Sequence, residues 1–175
     1  MLDNGLTLDL REIIEIPGSA VTFSHTLDSE TLQFPGVEGY VSPPRAEGDV
    51  RNIAGALELN GTLEAEMTLL CDRCAKPFGA RVEMRLNIPL AADLTDEDNP
   101  DIFPLEGDHL NLRELLETYF ILNMDSKRLC KPGCAGLCES CGADLNEAPC
   151  SCAPKTDPRL TVLSQLLNIE ERNEQ

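Results

Sequence analysis

The chain has 175 residues, with 14 lysines and arginines against 31 aspartates and glutamates, which gives a formal net charge of −17 at pH 7. This charge opposes a role in coating nucleic acid, because affinity for phosphate backbones comes largely from basic side chains that release counterions. Hydrophobic residues make up 42% of the chain and aromatic residues 4%, with no tryptophan, so we expect a folded protein with an aliphatic core. A local basic patch or a basic protein partner remains open.

The N-terminus predicts the cellular compartment. The residues MLDNGLTLDL carry neither the basic segment nor the apolar segment of a signal peptide. Uninterrupted apolar stretches of about five residues fall far short of the roughly 20 needed to cross a bilayer. We therefore expect a cytoplasmic protein without a membrane partner. Thiols stay reduced there, so the eight cysteines indicate metal or redox chemistry rather than a disulfide framework.

The first third of the chain predicts short elements of an antiparallel sheet. Alternation over residues 6–10 and again from residue 21 indicates two strands, and residues 11–16 between them predict a short helix. Glycines and prolines between residues 36 and 44 predict a passage rich in loops.

A hairpin with two thiols at its tip is the clearest local pattern. Apolar residues occupy the odd positions from 57 to 71 and the even positions from 78 to 90, with the C-D-R-C segment between them. This is the period of half-buried strands. Because the parity persists through Asn60-Gly61, we favour one long bent strand with Gly61 as a bulge or a close approach. A three-residue loop at this point is the fallback.

The hairpin is followed by an acidic segment and then by helical patterns. The charge run over residues 92–108 predicts a solvated loop. Asn111 is a good N-cap with Glu114 at the third helical position, and Asp157-Pro158 predicts the start of a short C-terminal helix. The apolar stripe of the first helix consists of Leu112, Leu115, Leu116, Tyr119, Phe120 and Leu122.

Spacing divides the eight cysteines into two sets of four. A C-x-x-C turn lets two thiolates converge on one cation, and tetrahedral Zn²⁺ takes four sulfurs at about 2.3 Å. Soft thiolates favour Zn²⁺ over harder metals, and an iron–sulfur cluster is the alternative use of four thiolates. One set is Cys138, Cys141, Cys150 and Cys152, and the other, which would clamp the hairpin tip to the C-terminal loop, is Cys71, Cys74, Cys130 and Cys134.

Which four cysteines share a metal stays open at this point. The closing C-x-C pair has a tighter bite than C-x-x-C, so Cys130 and Cys134 compete for places in the C-terminal site. A metal-free hairpin tip is the alternative for Cys71 and Cys74. We expect one or two zinc ions per chain.

Together these patterns predict an α+β fold. A bent, barrel-like antiparallel sheet is followed by a helix, a Cys-rich zinc loop and a short C-terminal helix. We place a β-rich domain with the hairpin tip and the following helix at residues 1–125. The metal-binding loop and the C-terminal helix occupy residues 126–175.

Enzyme signatures are absent from the sequence. The two histidines, His25 and His109, lie on separate segments, and no phosphate-binding, dinucleotide-binding or nucleophile motif occurs. The C-D-R-C pair lies between two strands, where no helix N-terminus lowers a thiol pKa. We therefore predict a protein that is not an enzyme and has no small-molecule substrate.

Half of the 14 basic residues lie beside the cysteine motifs. If the two motifs meet in space, these residues form one patch that contacts RNA or a protein partner. The alternative is that they balance the charge of thiolate–metal sites. They are Arg73, Lys76, Arg81, Arg85, Lys127, Arg128 and Lys131.

Several segments resemble the YceD family, which is named for accumulation of the large-subunit ribosomal RNA. They are C-D-R-C-A-K-P-F at 71–78, the Cys-rich loop at 130–152, D-P-R-L-T-V-L at 157–163, and the opening residues 11–27. The resemblance implies a bacterial ribosome-biogenesis factor that supports large-subunit (23S) rRNA accumulation, and it supplies no catalytic residue.

The charge leads us to expect a basic ribosomal or assembly protein as the partner, with rRNA contact through the basic patch as the alternative. Two other functions stay open. One is a thiol-redox or metal-responsive regulatory protein, which needs an exposed cysteine of low pKa. The other is a zinc-stabilised adaptor unrelated to ribosomes.

Overall fold

A computed structural model describes residues 7–91 and 102–152. The described residues form two compact units, one of residues up to 72 with 76–130, and one of residues 73–75 with those from 131 onward. Within the described ranges, no helix is long and apolar enough to cross a membrane. The predicted helix after Asp157 and most of the predicted acidic loop lie outside the described residues.

The larger unit is built on an open five-stranded sheet and a separate two-stranded sheet. The elements are β1 (Thr7–Asp9), α1 (Arg11–Ile14), β2 (Ala20–Thr26), β3 (Val37–Ile53), β4 (Ala56–Leu70), β5 (Pro77–Ala91), β6 (Phe103–Pro104), β7 (His109–Asn111) and α2 (Leu112–Leu122).

The large sheet has the order β2-β3-β4-β5-β6, and β1 pairs with β7. The prediction of a mainly β protein with a following helix is confirmed, but the predicted barrel does not close. Strand β6 has two residues and pairs with β5 in parallel, and among the described strands β2 and β6 form the two edges of this sheet. Strand β6 lies inside residues 92–108, which the charge run predicted as loop, and β7 begins directly after that segment.

The β4–β5 hairpin confirms the clearest prediction. Its antiparallel register runs from Leu57 opposite Leu90 to Leu70 opposite Pro77. Buried side chains alternate along both strands and face the core. The C-D-R-C segment therefore lies at the hairpin tip, where β4 ends and β5 begins.

Strand β4 passes through Asn60-Gly61 without a turn. This confirms the prediction of one long strand, which was based on apolar residues keeping to the odd positions on both sides of Gly61. Gly61 lies opposite Gly48 of β3, and a Cβ on Gly61 would lie 2.3 Å from the Glu47 carbonyl oxygen. Gly61 is therefore a close-approach site. The turn between β3 and β4 lies instead at Ala54-Gly55, which have φ angles of 55° and 98°.

The prediction of loop between residues 36 and 44 is wrong, because β3 starts at Val37. The strand accommodates its glycine and prolines through three register shifts against β4, the last between Ser42 and Arg45. Pro43 and Pro44 lie inside that shift. Strand β2 pairs with β3 only from Arg45 onward, so the prolines are not required to donate hydrogen bonds on that side.

Helix α2 begins where its N-cap predicts. The Asn111 side chain accepts a hydrogen bond from the Glu114 backbone N–H at 3.3 Å. Most of the predicted apolar stripe is buried or half-buried, but Leu122 is 76% exposed. Two residues beyond the buried Phe120, Leu122 is rotated by about 200° around the helix axis and faces away from the core.

Candidate metal centres

The structure gathers the eight cysteines into two groups of four. In each group the four sulfur atoms all lie within 4.8 Å of one another. Sulfurs about 2.3 Å from one tetrahedral Zn²⁺ are about 3.8 Å apart, so small side-chain rotations bring all four onto one ion. The first cysteine group is Cys71, Cys74, Cys130 and Cys134, and the second cysteine group is Cys138, Cys141, Cys150 and Cys152. These are the two sets into which the sequence spacing divides the cysteines.

The second cysteine group is organised by a tight C-x-x-C-G turn. The backbone N–H of Cys138 donates to the Ala143 carbonyl at 2.8 Å, and that of Gly142 donates to the Cys138 carbonyl at 2.8 Å. Gly142 has a φ of 74°, which a residue with a side chain rarely adopts. The reversal of the backbone turns the Cys138 and Cys141 sulfurs towards one point.

Hydrogen bonds shift the pKa values of two thiols of the second group in opposite directions. Backbone N–H groups of Cys141 and Ser140 lower the pKa of Cys138 to about 6. A hydrogen bond with the Cys141 sulfur raises the pKa of Cys152 to about 12. One sulfur is thus an anion near neutral pH, while another keeps its proton until a cation displaces it. Metal binding at this group therefore releases protons.

The first cysteine group is the more buried of the two. Cys71, Cys74 and Cys134 are buried, and Cys130 is exposed. The backbone N–H of Cys71 donates to the Lys76 carbonyl at 3.0 Å and closes the hairpin tip. The side chain of Arg73 donates to the Cys134 carbonyl at 2.6 Å. These bonds hold the backbone at Cys71 and Cys134, and beside Cys74 through its neighbour Arg73.

An ion pair between Asp72 and Arg128 holds the chain on either side of the first group. The Arg128 backbone N–H donates to the Asp72 carboxylate at 2.6 Å, and its guanidinium donates to the same carboxylate at 3.2 Å. The backbone N–H bond from Arg128, followed by its side chain, lowers the pKa of Asp72. Asp72 adjoins Cys71, and Arg128 lies two residues before Cys130. This pair therefore positions two of the four sulfurs.

Sequence reasoning missed this positioning role and grouped Arg128 with surface contacts. The Arg128 guanidinium also donates to the Pro35 carbonyl, and the residue is only partly exposed. The available signal was the opposite charge of Asp72 and Arg128, each close to a cysteine. The sequence separation of 56 residues conceals their pairing.

The structure distributes the seven basic candidates among different environments. Arg73 and Arg128 donate to carbonyl groups of their own chain, and Arg81 pairs with Glu64 at 2.9 Å. Arg85 is exposed on the same face of β5 as Arg81. It lies eight residues along the strand from Pro77, about 27 Å at 3.4 Å per residue. Contact of these residues with RNA or a partner stays a prediction, as it does for the exposed Lys76, Lys127 and Lys131.

Comparison with known proteins places the chain in a family. The family described as "Large ribosomal RNA subunit accumulation protein YceD" matches residues 59–167. A chloroplastic YCED homolog 1 of Zea mays, named as a large ribosomal RNA subunit accumulation protein, is 24% identical over 155 residues, which cover 70% of this chain and 53% of that protein. An uncharacterized protein of Mycobacterium bovis is 26% identical over 125 residues, which cover 69% of this chain and 60% of that protein.

The chain spans between half and two thirds of the length of these relatives. No solved structure matches it. The family match covers more than half of the chain, including β5, α2 and all eight cysteines. The chain therefore belongs to the YceD family.

Proposed function

We propose that this protein is a non-enzymatic, cytoplasmic ribosome-biogenesis factor that supports accumulation of the large-subunit (23S) ribosomal RNA. The observation that carries the proposal is the family match over residues 59–167. The name of the maize relative supports the same function. Among the described residues, the two cysteine groups are the clusters of Cys, His, Asp and Glu that could hold a metal ion, and their convergent sulfurs suit metal ligation better than turnover of a substrate.

A structural Zn²⁺ ion is our proposed occupant of each cysteine group. Four sulfurs without nitrogen or oxygen donors suit a soft, tetrahedral cation. Their mutual distances of at most 4.8 Å support a single ion over an iron–sulfur cluster, whose irons and sulfides separate the cysteine sulfurs further. Because such an ion orders the loop that binds it, we assign it to folding of the Cys-rich segment.

A basic ribosomal or assembly protein is the partner that we propose. The net charge of −17 attracts basic surfaces over long range and repels phosphate backbones. Arg73 and Arg128 use their guanidinium groups within the chain, which leaves fewer free cations for RNA. Direct rRNA contact through Arg81 and Arg85 is the alternative.

Depletion and sedimentation test the biogenesis proposal. Cells depleted of the protein should contain less large-subunit rRNA relative to small-subunit rRNA, and the wild-type chain should restore the ratio. The tagged chain should co-sediment with large-subunit precursors rather than with mature subunits. An unchanged rRNA ratio, together with a chain that remains at the top of the gradient, would show the proposal to be wrong.

The zinc content of the full chain gives our first prediction. Purified without chelator, the chain should carry about two Zn²⁺ ions, since each structural site holds its metal tightly. Cys71→Ser and Cys138→Ser should each reduce the content to about one ion, so each variant is the control for the other. Less than about 0.3 Zn²⁺ per chain, with all eight thiols reactive, would contradict the prediction. A brown chromophore would indicate an iron–sulfur cluster instead.

One observation favours a thiol-redox or metal-responsive protein as the second candidate. Backbone N–H groups of Cys141 and Ser140 lower the pKa of Cys138 to about 6, and Cys138 is partly exposed. A thiolate that solvent reaches is the reactive form of cysteine. If zinc-loaded chain reacts with a thiol reagent at Cys138 as fast as chelated chain, redox chemistry replaces structural zinc as the role of this group.

A further inference from the structure

Asn146 connects the two cysteine groups through its side chain. The Nδ2 atom donates to the Cys134 sulfur at 3.5 Å and to the Asp144 carboxylate at 2.7 Å. The Oδ1 atom accepts from the Ala135 backbone N–H at 2.9 Å. Since only an oxygen can accept from that N–H, Ala135 determines which end of the amide faces Cys134. The side chain therefore presents a hydrogen-bond donor to a sulfur of the first group.

The segment that carries Asn146 is held against the second group. Asp144 forms a β-bridge with Leu137, the residue before Cys138. The Cys138 backbone N–H donates to the carbonyl of Ala143 at 2.8 Å, and the Asp144 carboxylate accepts from the Asn146 backbone N–H at 2.8 Å. These hydrogen bonds, joined by the peptide bond between Ala143 and Asp144, lead from a proposed ligand of the second group to one of the first.

We infer that Asn146 is a positioning residue that couples the two groups, so that metal in the second group strengthens metal binding by the first. The inference rests on the proposed metal sites. Four thiolates around one cation repel one another, and an N–H donor withdraws negative charge from the sulfur that it contacts. Loss of such an outer contact typically weakens metal binding about 10–100-fold.

The coupling follows from what orders the Asn146 segment. A cation in the second group fixes Cys138 and Cys141 relative to Cys150 and closes the loop between them. That loop contains Asn146. Without the cation, the loop gains conformational freedom, and the amide must lose that freedom whenever it binds the Cys134 sulfur. The first group then binds its own cation less tightly.

Cadmium-113 NMR of the full chain tests the role of Asn146, because each cadmium gives its own resonance. Cys138→Ser with Cys141→Ser removes the second-group resonance and assigns both signals. Asn146→Asp keeps the side-chain shape and the acceptor for Ala135 but removes the donor to Cys134. It should shift the first-group resonance and weaken first-group cadmium binding about 10–100-fold in competition with a chelator.

Several comparisons separate this role from a general effect of charge or folding. Asn146→Ala, which adds no carboxylate, should weaken the first group in the same way. Asn87→Asp adds the same charge on β5 and should change neither resonance. In the Cys138→Ser, Cys141→Ser background the first group should bind more weakly, and Asn146→Asp should then have a smaller effect than in the wild type, because coupled substitutions are not additive.

The inference would be overturned by an unchanged first-group resonance and affinity in Asn146→Asp, by equal weakening of both groups, or by fully additive effects of the two sets of substitutions. Loss of both resonances would assign Asn146 to folding of the loop instead of coupling. If wild-type chain binds neither cadmium nor zinc, the proposed metal sites are wrong, which is a different outcome from metal binding that ignores Asn146.

Discussion

Asn52 is the one buried polar residue among the described part of the chain, with 1% of its surface exposed. Its Nδ2 atom donates to the carbonyls of Ile13 and Ile14 at 2.7 and 2.9 Å. Its Oδ1 atom accepts from the Gly55 backbone N–H at 2.8 Å. One side chain thus provides hydrogen-bond partners for the last two carbonyls of α1 and for a backbone N–H of the turn between β3 and β4.

Asn52→Asp should destabilise the protein by about 2–4 kcal/mol, since it removes both donors and leaves a buried carboxylate facing two carbonyl oxygens. Urea unfolding monitored by circular dichroism measures the change. Asn123→Asp is the comparison, since this exposed residue donates its side-chain amide to the Tyr119 carbonyl at the end of α2, and in contact with solvent the loss should cost only about 1 kcal/mol. Equal effects of the two substitutions would contradict the role of Asn52.

Single residues of this kind are poorly predicted from the sequence. Asn52 precedes I-A-G, a sequence typical of an exposed turn, although its side chain is buried. Arg128 reads as a free surface cation, although it binds Asp72 and the Pro35 carbonyl. In both cases the partner is distant along the chain, and composition does not indicate which polar group is used inside the fold.

At the scale of elements, the approach of β3 to β4 depends on two facing glycines. Gly48 and Gly61 are paired in the register. A Cβ on Gly48 would lie 2.0 Å from the Asn60 carbonyl oxygen, which is backbone and cannot rotate away. The strands can keep their pairing only if neither position carries a side chain.

Gly48→Ala should therefore destabilise the protein by about 3 kcal/mol, because the strands must separate to admit the methyl group. Gly79→Ala on β5 is the matched control, since a Cβ there meets nothing within 4 Å. It should be neutral within about 0.5 kcal/mol. Thermal unfolding of both variants measures the difference. A Gly48→Ala protein as stable as Gly79→Ala would refute the close-approach argument.

The elements differ in how well the sequence predicts them. The β4–β5 hairpin is predictable because one buried face imposes period two over fifteen residues in each strand. Strand β3 is not among the predicted elements, because Gly39, Pro43 and Pro44 in its first half are read as loop signals, whereas register shifts tolerate them. The parallel pairing of β6 with β5 leaves no local pattern at all, since two residues are too few to show a period.

At the scale of the whole molecule, cysteine spacing predicts more of the candidate site than of its surroundings. Short C-x-x-C and C-x-C spacings restrict which thiols can share an ion, and the structure brings together the same two sets of four. Spacing does not reveal the contacts that connect them, such as Asn146 with Cys134. Those contacts depend on the folded path of the loop.

The charge of the whole molecule favours a basic protein over RNA as the proposed partner. A net charge of −17 opposes RNA except where a local group of cations overcomes it. Arg81 and Arg85 are exposed on one face of β5, and Arg81 forms an ion pair with Glu64. We therefore expect these two arginines to matter little for binding a basic protein.

Replacing Arg81 and Arg85 by glutamine should leave binding of the full chain to a basic large-subunit protein unchanged or slightly stronger, because it makes an acidic surface more acidic. Titrations at several salt concentrations measure this. Arg45→Gln with Arg51→Gln removes the same charge from β3, and its equal effect would indicate a general field rather than a local contact. If the arginines touch phosphates instead, bare large-subunit rRNA should bind tightly at physiological salt. The double substitution at Arg81 and Arg85 alone should then flatten the salt dependence by about one log–log unit per lost contact, a result that would replace the protein partner by rRNA.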